Sequence, residues 1–459
     1  MKYWVERDMM GEVQIPIDVY YGAQTQRSIE QFKIAGDVSR MPKEIIKAFG
    51  YLKKAAAITN YEEGILSKEK CELISNVCDE IIEGKLDRHF PLVVWQPGSG
   101  ALTNANVNEV IANRGHVLHG GKLTDNEKFL SPNDDVNKSQ SSYDTFPTAM
   151  HIAAYKMLLE TTIPGVETLL ATLELKSQQY KDVIKVGRNH FMDAMPITVG
   201  QECSICVAQL NHGLKTIRNS LPNLTELALG GSSVETVINA PENFDINVAA
   251  HIAKLTGYPF IPAYNKYKLL ASHEAIFEAH SALKTVAVSL MKIANDISML
   301  MPGVHSDISE LFISKNETAI TENTDPTQSE ALKMIAAQVM GNDVAITIAA
   351  TTGNFELNLF KPLIICNFLH SARLIGEGCC SFNDKCAVGL KPIQENIKKH
   401  LDNSLMLVTA LNPKIGYFKA AEIAQTANRE GKTLKEKAVE LGYLSSDEFD
   451  QWTVPLNMS

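Results

Sequence analysis

Long apolar runs are what this chain most plainly lacks. None of its 459 residues falls in a stretch approaching the roughly 20 consecutive apolar residues a bilayer-spanning helix needs. The start, Met1-Lys2-Tyr3-Trp4-Val5-Glu6-Arg7-Asp8, carries no apolar signal segment. An excess of positive charge is missing too: 43 Lys and Arg stand against 53 Asp and Glu, a net charge of −10. That balance argues against nucleic acid or an anionic membrane as the main partner. The eight cysteines (Cys71, Cys78, Cys203, Cys206, Cys366, Cys379, Cys380, Cys386) are scattered, and in a long chain without a secretory signal they read as reduced thiols. Cys203 and Cys206 have Cys-x-x-Cys spacing but no second pair or nearby histidine, which favours small buried residues over a zinc or redox site. No Gly-x-Gly-x-x-Gly, Walker loop, internal repeat or low-complexity stretch occurs. These absences leave a cytoplasmic protein, with no cofactor or metal expected.

What is present is helix. With 45% hydrophobic residues, a chain of this length buries more than one compact core usually holds, so two or three domains are expected. Residues 1–138 alternate short apolar pieces with turns, and the spacing from Lys43 to Ile82 suggests two helices. Helical patterns then run through 144–161, 165–186, 199–229, 272–302, 327–350 and 357–383, the mark of a bundle of long helices. The reading gives a mixed, mostly helical domain over 1–138, a central helical bundle over 139–393 and a small helical domain over 394–459. From Glu330 to Ala350 apolar residues form two stripes, Leu332, Ile335 and Val339 on one side and Met334, Ala337, Val344 and Ile348 on the other, which predicts burial on more than one side. Asp325-Pro326-Thr327-Gln328 reads as the capping box that starts this helix.

Polar runs interrupt the helices. Gly98-Ser99-Gly100-Ala101 leads into Asn104 and Asn108, a loop turning into a helix where backbone N–H groups can receive an anion. Ser131-Pro132-Asn133-Asp134 opens a run of amides, acids and serines that continues through Ser141-Ser142-Tyr143-Asp144. Gly187-Arg188-Asn189-His190 looks like a loop carrying a lone histidine, commonly no more than a satisfied polar residue.

These segments, taken with Gly230-Gly231-Ser232, Gln338-Val339-Met340-Gly341-Asn342-Asp343 and Gly353-Asn354-Phe355-Glu356, resemble the class II fumarate hydratases of the fumarase/aspartase superfamily along essentially the whole chain. The resemblance implies a mainly α, three-domain fold around a long-helix bundle, assembled as a tetramer whose active sites combine residues of three subunits. It assigns His190 to the active site with Glu330 as its orienting carboxylate. It places Asn104, Ser141, Ser142, Tyr143, Asn189, Asn323 and Asp325 at substrate-contacting positions, and Asn133 and Asp134 at a secondary anion site.

Several of these positions depart from the family. The family loop Gly-Ser-Ser-Ile-Met-Pro-Gly-Lys-Val-Asn carries a catalytic serine, a lysine and an asparagine. Counted back from Pro326 without gaps, these fall on Glu317, Asn323 and Asp325, and a gapped count puts the serine position on Ile320. Tyr143 stands for an asparagine, Ser131 for a histidine, Asn189 and Ala101 for threonines, and Glu235 and Val237 for glycines. Tyr143 either fills the space of a small acid or plugs an unused pocket. Glu317 is a candidate base or a solvated loop residue, and Asp325 a ligand contact or only the helix cap. The expectation is therefore a fumarase-like scaffold that has lost fumarate hydration, a structural or regulatory homotetramer or a hetero-oligomer with an active paralogue. The alternative is a lyase catalysing elimination or addition on a different, less anionic succinate-like substrate.

Overall fold

Backbone hydrogen bonds beyond Gln179 explain the main departure from the helical pattern. The helix Ile163–Gln179 does not continue to residue 186, because the Gly200 N–H bonds to the Tyr180 carbonyl and the Val199 N–H to that of Val183. The chain instead forms an antiparallel hairpin, Ile184–Asn189 with Met192–Thr198, so the segment expected to be a loop around His190 is a β-ribbon. Elsewhere the expected helices appear. The structure, a computed structural model, describes residues 2–8, 10–190, 192–230, 240–301, 308–313 and 327–453. Glu235, Val237, Glu317, Ile320, Glu322, Asn323, Asp325 and the proposed capping box lie wholly or partly outside that set.

The fold is mainly α, with four two-stranded sheets among the described residues. Long helices span Val199–Leu224, Glu274–Leu300, Thr327–Ala350 and Lys361–Lys385. Each carries a buried stripe at three- and four-residue steps. In the second it is Ile276, Ala279, Leu283, Val286, Leu290, Ile293 and Ile297, and in the fourth Ile364, Phe368, Ala372, Ile375, Cys379 and Phe382.

Two compact units divide the chain, one of 1–163, 216–284 and 338–374, the other of 164–215, 285–337 and 375–459. In the first, the Lys43–Glu62 helix packs on the helices Lys68–Ile82, Ser142–Met157 and Phe244–Thr256. Three of its helices are tied by a polar clasp: His280 bonds Asp343 at 3.0 Å and Ser371 at 2.9 Å, and Lys284 reaches the other Asp343 oxygen at 2.5 Å. In the second unit the elements from Leu405 to Trp452 share a core of Leu407, Leu411, Ile423, Leu434 and Phe449.

Burial on more than one side of a helix is met only in part within this chain. On the Thr327–Ala350 helix Leu332 and Val339 are buried, but Met334 is 68% exposed, Val344 59% and Ile348 58%. The second stripe is apolar yet uncovered within one chain, because periodicity reports which residues avoid water and not whether the same chain covers them. All eight cysteines are unpaired, and burial pushes the Cys203 thiol up to about 11 and that of Cys206 to about 12.

Candidate active site

The residues singled out by sequence fall into two groups, one in each unit. In the first, Gly98 and Gly100 are required. A Cβ on Gly98 would sit 1.2 Å from the Leu359 carbonyl oxygen, and one on Gly100, at φ 81°, would strike the Phe146 ring at 2.2 Å. This tight entry starts the helix Ala101–Leu118 and turns Asn104 inward. Its amide is spent: Nδ2 donates to Asn137 Oδ1 and Ser142 Oγ, both at 3.1 Å, and Oδ1 accepts from Thr145 Oγ1 at 3.3 Å. Asn137 Oδ1 is the hub, also accepting from Asn108 at 3.2 Å and from Lys53 Nζ at 2.9 Å. Lys53 makes a second bond to Gln140 at 2.9 Å.

Ser141 caps the helix Ser142–Met157. Its Oγ accepts from the Tyr143 N–H, and Asp144 closes the capping box by accepting the Ser141 N–H at 3.0 Å. The other Asp144 oxygen accepts the Gly230 N–H at 3.1 Å, so one buried carboxyl anchors two loops. Burial pushes Asp144 up to about 7, partly offset by these N–H groups and by Lys53. Burial likewise lowers Lys53 to about 7, with Asp144 opposing it. Tyr143 is half-buried, and its hydroxyl has no partner among the described residues. The hydroxyl protons of Ser141, Ser142 and Tyr143 are donors this group still offers. Asn133 and Asp134 are exposed in the turn Pro132–Val136, where Asp134 bonds Ser131 Oγ at 2.8 Å.

In the second unit the hairpin ends at the Asn189–Met192 pair, and His190 turns it with φ 49°, the left-handed conformation such tight turns demand. Asn189 and His190 are both exposed. The ribbon is fixed from below by Glu310, 1% exposed, which takes a bidentate grip from Arg188 at 2.6 and 2.7 Å, a bond from Lys185 at 2.9 Å and one from His400 at 3.0 Å. Burial alone would raise the Glu310 carboxyl; Arg188 and Lys185 reverse this and hold it at about 2. Lys185 also bonds Glu202 at 2.7 Å. Both cations of the hairpin are thus committed to carboxylates. Glu330 lies exposed in the first turn of its helix, and no hydrogen bond joins it to His190 among the described residues.

Lys53, Asn137, Arg188 and Glu310 were not singled out by sequence reasoning. A signal existed for Lys53, which lies on the same stripe as Phe49, Leu52, Ala56 and Asn60. For Glu310 none did, since its partners are 122, 125 and 90 residues away.

Long helices thus carry polar segments at residues 98–104 and 131–144, and a third polar segment, 187–190, lies on the hairpin. Comparison with known proteins makes this specific. A family model described as Lyase matches residues 11–341, and one described as Fumarase C C-terminus matches residues 407–459. Fumarate hydratase class II of Pasteurella multocida is 55% identical over 461 residues, covering 100% of this chain and 99% of that protein. The mitochondrial fumarate hydratase of Rattus norvegicus is 51% identical, covering 99% and 90%. The crystal structure of class II fumarase from Schistosoma mansoni superposes with a TM-score of 0.93 at 36% identity, covering 100% of this chain and 99% of that one. The chain belongs to the class II fumarate hydratase family of the fumarase/aspartase superfamily.

Proposed function

We propose that this chain keeps the class II fumarate hydratase scaffold without hydrating fumarate, and that it serves as a structural or regulatory subunit of a fumarase-type assembly. The observation that carries this reading is the charge of the segment 314–326, which holds Lys315 against Glu317, Glu322 and Asp325, with Glu317, Asn323 and Asp325 standing where the family resemblance calls for a serine, a lysine and an asparagine. Fumarate hydration needs cations and hydroxyls that hold two carboxylates and stabilise an aci-carboxylate intermediate, plus a base for the C–H proton. On the hairpin, Lys185 and Arg188 are spent on Glu202 and Glu310. In the first unit Asn104 is spent on its neighbours and Tyr143 brings a phenol where the family has an amide. One like-charge pair about 4 Å apart at an effective dielectric of roughly 20 costs about 4 kcal/mol, so each added acid weighs against a dianion. The uncovered stripe of Met334, Val344 and Ile348 supports assembly, either as a homotetramer or with an active paralogue.

Purified protein assayed for fumarate absorbance loss and malate formation gives no rate above buffer under this reading, and clear turnover overturns it. One observation favours a second reading. His190 is kept, exposed, in a left-handed turn that most residues avoid, as a lyase for a less anionic substrate would need. A thermal-shift screen of aspartate, argininosuccinate and adenylosuccinate-like compounds decides between them. A ligand that stabilises the fold, and ceases to in His190→Ala, favours the lyase.

A further inference from the structure

Three basic side chains in the first unit are sealed in its interior without a hydrogen-bond partner. Lys361, the first residue of the helix Lys361–Lys385, is 0% exposed. His273, directly before the helix Glu274–Leu300, and His151, on the helix Ser142–Met157, are each 1% exposed. Lys361 Nζ and all four ring nitrogens of the two histidines make no hydrogen bond among the described residues. Their segments meet: the chain just before Lys361 bonds the helix Lys266–Ala271 that precedes His273, and that helix packs on Ser142–Met157, which carries His151; Lys361 and His151 both act electrostatically on His273. The segments that bring them there are fastened: the Asn358 N–H bonds the Leu270 carbonyl at 3.0 Å, Asn358 Nδ2 bonds the Ala349 carbonyl at 3.0 Å, and the Phe360 N–H bonds Asn358 Oδ1 at 2.8 Å.

Buried polar groups in folded proteins are nearly always satisfied, and an ammonium is the costliest to leave bare. A bare ammonium beside bare imidazoles therefore calls for an occupant. Its chemistry follows from the donors. Burial lowers both histidines, His151 to about 4 and His273 well below its ordinary value, so each ring is neutral and offers one N–H. Burial also lowers Lys361 to about 8, which leaves it charged at neutral pH. No carboxylate acts on any of the three among the described residues; the other charge acting on the cluster is that of Lys268, which is positive. The Leu224 and Glu226 carbonyls face His151 without completing a hydrogen bond. Two long helices begin here, and their partly positive ends favour an anion. A monovalent anion brings the net charge to zero, a divalent one would leave excess negative charge buried, and the full enclosure of Lys361 excludes anything large, including a side chain of another subunit.

We infer that Lys361, His273 and His151 form an internal site for one small monovalent anion of the halide class. Water alone would satisfy donors but leave the charge, and is the competing outcome.

Crystals of the intact protein grown in bromide, measured at the bromine edge, test this directly. The expected result is one internal anomalous peak within hydrogen-bonding distance of Lys361 Nζ and a His273 ring nitrogen. Electron density without anomalous signal there, or no density, overturns the proposal. In solution, replacing gluconate with chloride at constant ionic strength is expected to raise Tm by about 2 °C or more. Equal Tm in the two salts overturns it. Lys361→Met should abolish both the bromide peak and the chloride-dependent rise; a peak that persists in that variant removes Lys361 from the site. Should the variant fail to fold, the wild-type crystal still decides.

Discussion

In the first unit Lys53 and Asp144 lie buried with no ion pair between them, each bonded to neutral amides, while in the second unit Glu310 is gripped directly by Arg188, Lys185 and His400. The consequences differ in sign. Without direct contact, burial dominates: Lys53 is lowered and Asp144 raised, both to about 7, so neither is firmly charged at neutral pH. With direct contact the partners dominate, and Glu310 stays ionised down to about pH 2. A buried carboxyl is thus a fixed anion in one place and a titratable group in the other. The first arrangement suits loops anchored by neutral hydrogen bonds, the second a ribbon whose strands are fixed by fully ionised partners.

Breaking Glu310 should have the largest effect. Glu310→Gln leaves Arg188 charged and without its carboxylate and Lys185 with Glu202 alone, and breaking a largely buried charge cluster in this way typically costs about 3–5 kcal/mol. Urea denaturation followed by circular dichroism measures it. Lys53→Met should cost less, about 1–3 kcal/mol, because Asn137 Oδ1 retains Asn104 and Asn108 as donors and only Gln140 Oε1 is orphaned. Equal losses in the two variants would erase the distinction drawn between the clusters.

The pH dependence sharpens it further. Asp144 is raised from 3.8 to about 7, so the folded state binds the extra proton and wild-type stability falls as pH rises from about 4 to 7 on this account. Glu310 is lowered from 4.5 to about 2, so its contribution is complete above about 4.5 and is lost as pH falls from there to 2. The difference in unfolding free energy between wild type and Asp144→Asn should therefore slope downward between pH 4 and 7. That between wild type and Glu310→Gln should slope upward between pH 2 and 4.5 and stay flat above. A flat Asp144 difference curve would mean that its carboxyl is as firmly ionised as that of Glu310.

Much of the helical frame was readable from spacing alone, because long helices with one apolar stripe leave a clear period: of the stripe Leu332, Ile335, Val339 read in the sequence, Leu332 and Val339 are buried and Ile335 is half-buried. The hairpin at 184–198 was not, since Gly187 interrupts the alternation and the turn holds His190 where an asparagine or glycine would announce it. Nor were the two clusters. Lys53 stands beside Lys54, and its place on the apolar stripe signals burial but not its partners: it is buried against Asn137, while Lys54 bonds Asp79 at 2.7 Å. Of the candidate site, Asn104, Ser141 and Ser142 could be found because they cluster in polar runs, but that their polar atoms are mostly spent on one another is a long-range fact no local pattern carries.

The smallest effect expected concerns Tyr143. Its side chain is half-buried with a hydroxyl that bonds nothing among the described residues, so Tyr143→Asn should shift stability by no more than about 1 kcal/mol. The substitution restores the residue the family resemblance calls for and removes the phenol's bulk. If bulk alone kept fumarate out, turnover should return in the coupled malate assay. The charges argue otherwise: Lys185 and Arg188 remain committed to Glu202 and Glu310, and Glu317, Glu322 and Asp325 remain in the segment before the Thr327–Ala350 helix. The expected rate for Tyr143→Asn is therefore that of buffer. A measurable rate would show that the amide cluster around Asn137 and Ser142 was still a working half-site, blocked by a single ring, and would move the loss of function from electrostatics to shape.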